Sequence, residues 1–174
     1  ENPENYMGRA YEARYLAGIV AAMNSPTGKI GYVAAMQIPE VIRGINAFTL
    51  GVRSVNPNAT VTVKWTNTWF DVTIEKATAL ELINSGCDLI AQHADSTAPQ
   101  IAAEEKGVKA IGYNSSTPDA APTAYLTAPL FHWDVFYKND VESIMNGTWQ
   151  PKSYWGGLKD GMVSLDTLTS NNAA

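Results

Sequence analysis

Residues 61–71, VTVKWTNTWFD, constrain the fold more than any other stretch. Val61, Val63 and Trp65 alternate with Thr62, Lys64 and Thr66, the period-two pattern of a strand that buries one face. Asn67-Thr68-Trp69-Phe70 breaks the alternation and reads as a loop. Asp71 then stands as a helix N-cap, because Ile74, Ala77, Leu80, Leu82 and Ile83 follow in a helical pattern with Glu75 in the first turn. Two large aromatic residues, Trp69 and Phe70, therefore lie between the end of a strand and the start of a helix. In an open parallel sheet that edge is where ligands bind. The competing reading is that both rings plug the helix–sheet junction.

The same alternation recurs along the chain. Residues 4–23 carry a helical pattern with small residues at Gly8, Ala10, Ala13, Ala17, Gly18, Ala21 and Ala22, which suits close packing against a sheet or another helix. Breakers at 24–28 end it, and residues 29–34 (KIGYVA) read as a short apolar strand. Pro39 suits the first position of a helix whose apolar face is Val41, Ile42, Ile45, Phe48 and Val52. Strands follow at residues 88–92, 108–112 and 124–127, separated by a helix capped by Ser96 or Thr97 and ended by Gly107. Residues 133–145 are helical, and residues 153–157 and 161–165 read as short strands joined around Lys159-Asp160-Gly161. Five strands and four helices in near-regular alternation predict an α/β fold, a doubly wound parallel sheet of order 2-1-3-4-5. Its expected core is Ile30, Tyr32, Val61, Val63, Leu89, Ile90, Ala110 and Ile111. The expected divisions are a leading helix in 1–27, a ligand-binding lobe in 28–165 and a polar tail in 166–174.

Composition and motifs exclude more than they assign. A net charge of −5 over 174 residues, with no cluster of Lys or Arg, argues against a nucleic-acid partner. The single cysteine, Cys87, excludes an intrachain disulfide and a cysteine-based zinc cage, and reads as a small hydrophobe at the start of a strand. There is no GxGxxG, P-loop, HExxH or GxSxG, so no cofactor, no metal and no catalytic residue is expected. A Ser96, His93, Asp95 triad can be drawn only on paper. The strand exits are different: Ala35-Met36-Gln37, Asn67 to Phe70, Gln92-His93-Ala94-Asp95, Tyr113-Asn114-Ser115-Ser116 and Phe131-His132-Trp133-Asp134 are rich in aromatic and hydrogen-bonding groups. The turns of the opposite edge are plain. That asymmetry describes a pocket for a flat molecule with a polar rim.

The segments GRAYEARYLAGIVAA, KIGYVAAMQIPEVIRGINAFTLGVRSVNP, WTNTWFD and GCDLIAQHADS resemble the basic membrane protein (BMP) family over essentially residues 5–165. These are lipoprotein-type substrate-binding proteins of ABC importers, with members that bind purine nucleosides or bases. The resemblance implies one lobe of a type I periplasmic binding protein. It also implies a first lobe, a signal peptide and a lipid-anchoring cysteine upstream, permease subunits as partners and an extracytoplasmic location. It places a base-stacking aromatic at Trp69, with Phe70 beside it and an acid at Asp71. The other ligand contacts it implies come from His93, Asp95, Asn114 and Trp133, and the strand exits add Met36. Where nucleoside binders commonly have two acids, the first of which helps hold the sugar, this chain has Asn114-Ser115-Ser116, which favours a free base such as adenine. The runner-up is the effector domain of a LacI-type regulator, and a nucleoside-hydrolysing enzyme is third.

Overall fold

The computed structural model describes residues 4–173; residues 1–3 and residue 174, the extremes of the expected leading segment and tail, lie outside them. The chain opens with β1 (Asn5–Gly8), α1 (Ala10–Met23), β2 (Lys29–Ala34), α2 (Pro39–Val55) and β3 (Thr60–Trp65). Then come α3 (Val72–Asn84), β4 (Leu89–His93), α4 (Ala98–Lys106) and β5 (Lys109–Ile111). A 3-10 turn (Pro118–Ala120) leads to β6 (Tyr125–Thr127), β7 (Pro129–Phe131), α5 (Trp133–Met145), β8 (Ser153–Gly156) and β9 (Val163–Leu165).

The main sheet is parallel throughout, in the order β3-β2-β4-β5-β6. Counted from β2, this is the expected 2-1-3-4-5 order. Helices α1 and α2 cover one face, burying Ile30, Tyr32, Leu89 and Ile111, while α3 and α4 cover the other against Val33, Ile90 and Ala110. Of the expected core, Val61 and Val63 are only partly buried, because β3 is an edge strand. The small-residue run on α1 is used in full. A Cβ at Gly18 would fall on the Phe48 carbonyl oxygen of α2, and one at Gly51 on the Tyr15 carbonyl oxygen of α1. The two helix backbones therefore touch where these glycines cross, and no side chain can be added there without moving a helix.

Two expectations need correction. The leading helix begins at Ala10, not at residue 4, because residues 5–8 are extended and pair in parallel with β8. Tyr6 accordingly stacks on Phe136 at 4.3 Å instead of joining the apolar stripe of α1. The two short terminal strands do not pair with each other: β8 joins β1, and β9 lies antiparallel to β7. These strands and α5 enclose a small second core of Phe136, Met162 and Val163. The polar tail is docked. Asp166 and Thr169 donate backbone N–H groups to Ala128 and Leu126, the Asn172 side chain adds a bond to Leu126, and Ala173 N–H bonds Asn24. That strap covers the β6 edge of the sheet, which otherwise presents unpaired carbonyls.

Candidate functional site

The parallel sheet delivers every strand exit to one edge, and three polar links set the loops there. Asp71 caps α3, its Oδ1 accepting from the N–H groups of Thr73 and Ile74, both at 2.9 Å. Its own N–H donates to Glu75 Oε1 at 2.9 Å. Glu75, fully buried, accepts from the Ser96 N–H and hydroxyl through its other oxygen, at 3.1 and 2.6 Å. A buried carboxylate is thus satisfied by three donors and pins the loop after β3 to the loop after β4. The second link is the Asp95 N–H, which donates to the Trp69 carbonyl at 2.9 Å. The third is Gln92, whose amide reaches the Ala94 and Ser96 carbonyls and accepts from Gln100. Gln100 in turn accepts from Thr117, beyond β5.

Within this frame a row of rings crosses the edge. The Trp69 and His93 centroids are 6.3 Å apart, His93 and Tyr113 4.5 Å, Tyr113 and Phe131 6.5 Å, and Phe131 stacks on Trp133 at 5.1 Å. Trp69 is 38% exposed and Phe70 64%, so neither is a closed plug of the helix–sheet junction. Among the described residues, the two non-glycine positions with positive φ are Asn67 (56°) and Asn114 (68°), and both lie in these loops. Asn tolerates that conformation, which clusters at functional sites.

The predicted contacts divide. Trp69 is linked to Phe131 and Trp133 through the buried ring of His93 and the half-buried Tyr113, and Asn114 and Asp95 lie exposed beside this row. Met36 is partly buried against the α3–α4 side of the core. Asp71 commits one oxygen to capping. His93 has no exposed surface and lies behind the edge. The paper triad is not assembled, since the Ser96 hydroxyl is bonded to Glu75. His132 bonds Ser164 at 2.7 Å, within the small second core region. Among the described residues no three His, Cys, Asp or Glu side chains cluster as a metal site.

The buried polar groups behind the edge are ones the sequence reading passed over. Arg14, without exposure, donates to the Gln92 carbonyl at 2.7 Å, and its guanidinium lies 4.6 Å from the Tyr113 centroid and 5.7 Å from that of Tyr32. Burial, and then the Arg14 charge, push the His93 pKa down to about 4 against the pull of Glu40, whose Oε2 is 3.3 Å from His93 Nε2. His93 is therefore neutral. Burial works to raise the Glu40 pKa, but His93, Arg14 and Arg43 outweigh it and hold the carboxyl below its ordinary value. Burial pushes the Tyr32 hydroxyl up to about 12. Beside these groups a cavity of about 100 Å³ opens between the first turns of α1 and α2 and the strands β1 and β8. Arg14 left a signal: it interrupts the apolar stripe of Ala10, Ala13, Ala17 and Ala21. Glu40 left none beyond its place in the first turn of α2.

Helices on both faces of a parallel sheet, with an aromatic-lined carboxyl edge, define one lobe of the type I periplasmic binding protein class. A solute-binding protein from Aeropyrum pernix superposes with a TM-score of 0.85 over 93% of this chain and 49% of its own, at 24% identity. The chain belongs to the Bmp family, described as ABC transporter substrate-binding protein PnrA-like, which it matches over residues 1–174. A Haloferax volcanii protein described provisionally as an ABC transporter glucose-binding protein is 47% identical over 98% of this chain and 44% of its own length. A purine-binding protein of Brucella abortus is 41% identical over 98% of this chain and 49% of its own. The chain thus spans about half the length of these relatives. Both are described as binding proteins.

Proposed function

We propose that this chain is the ligand-binding lobe of an extracytoplasmic, lipid-anchored solute-binding protein that delivers a purine base to the permease of an ABC importer. The observation that carries the reading is the row of rings at the carboxyl edge, with Trp69 as the exposed stacking face and Asn67 and Asn114 held in left-handed conformations beside it. The similarity to a purine-binding protein supports the ligand class. Asn114, Ser115 and Ser116 offer neutral partners to a ligand rim, which suits a free base such as adenine better than a nucleoside. A hexose is the second reading, favoured by the description of the Haloferax relative, since aromatic faces also serve as platforms for sugar rings. Calorimetric titration of the intact protein with adenine, adenosine, guanine and glucose, with mass spectrometry of whatever co-purifies, tests both. Adenine as the tightest ligand is the expected result. Glucose binding without purine binding refutes the purine reading.

A further inference from the structure

Stacking on Trp69 leaves the cavity behind the edge without a role. His93 and Glu40 line it. Both His93 ring nitrogens are buried without a hydrogen-bond partner, as is Arg14 Nε. His93 Nδ1 and Arg14 Nε both lie close to Gly44: a Cβ there would be 3.3 Å from the first and 3.6 Å from the second. The other ring nitrogen, Nε2, approaches Glu40 Oε2 at 3.3 Å without a hydrogen bond between them. Among the described residues no other donor reaches that carboxylate. The Glu40 carboxylate therefore lines the cavity with its accepting capacity unspent.

We propose that this cavity reads the polar edge of the ligand, the Glu40 carboxylate accepting from a ring or amino N–H of a neutral nitrogen heterocycle. The proposal rests on the solute-binding function proposed for the chain. The remaining walls are apolar or flat, including Met7, Gly44, Tyr11 and Trp155, with the Arg43 guanidinium set over the Tyr11 and Trp155 rings at 5.6 and 5.0 Å. Such walls suit a planar ring with one polar edge.

The test compares adenine, 9-methyladenine, which lacks the ring N9–H, and N6,N6-dimethyladenine, which lacks the amino N–H. Each is titrated calorimetrically into the intact wild-type protein and into Glu40→Gln. A hydrogen bond to a charged acceptor sets the expected scale at about ten- to a hundredfold. Wild type is expected to bind one methylated analogue that much more weakly than adenine. Glu40→Gln is expected to weaken adenine binding by a similar factor and to abolish the discrimination. Discrimination retained in Glu40→Gln, or equal losses for all three ligands, overturns this proposal alone. Wild type that binds no purine overturns it together with the functional reading.

Discussion

Mild acid should destabilise this lobe through His93. Its pKa is about 4 in the folded chain against an ordinary 6.5, because the ring is buried and next to Arg14, with Glu40 only partly compensating. The sign follows from proton uptake. As pH falls below 6.5 the unfolded chain binds a proton that the folded chain refuses until about pH 4. The contribution of neutral His93 is complete above pH 6.5 and drains away between 6.5 and 4. At roughly 1.4 kcal/mol for each pH unit of that interval, the loss is on the order of 3 kcal/mol. That is a large part of the stability of a typical domain, which is about 5–15 kcal/mol. Urea denaturation at a series of pH values between about 7.5 and 4.5 measures it, in wild type and in His93→Gln, which cannot titrate there. Glu40, held below its ordinary value, loses its contribution only at lower pH. The difference between the two curves therefore isolates the imidazole. Parallel curves for the two proteins across that window would refute the argument.

Three further outcomes follow from the packing. Gly18→Ala places a methyl group against the Phe48 carbonyl and should lower the unfolding free energy by about 1–3 kcal/mol, the range for overpacking, measured by denaturant midpoint. Asp71→Ala removes the acceptor for two α3 N–H groups and should cost about 0.5–2 kcal/mol; hydrogen exchange should also quicken at Thr73 and Ile74. Trp69→Ala should weaken purine binding by the intact protein about ten- to a hundredfold, with a smaller change in melting temperature than a buried Trp would give; unaltered affinity would rule Trp69 out as the platform.

Much of this architecture is written in local pattern. The alternation of strands and helices, the Asp71 cap, Pro39 at the start of α2 and the left-handed Gly107 all follow from period and residue chemistry within a few positions. The aromatic exits are equally legible, since parallel winding sends them to one edge. What escapes the sequence depends on distant partners. Residues 5–8 hold Tyr6 and Gly8, which fit a helix as well as a strand, and only β8 decides between them. β7 has three residues, too few to show a period. Arg14 reads as a solvated helix charge until Gln92, Tyr32 and Tyr113 are seen to enclose it.

The pairing of β1 with β8 also bears on the order of folding. Its four register pairs run from Asn5–Ser153 to Gly8–Gly156, so nearly the whole described chain must be placed before this small ribbon can close. Contacts so far apart in sequence gain little until the intervening chain is already ordered. The main sheet and its helices can assemble from neighbouring segments, whereas the ribbon is expected to form last. The same reasoning applied in reverse makes the ribbon the first part to open under native conditions. Its amides should exchange with solvent ahead of those of β2 and β4, through partial opening that leaves the aromatic edge intact.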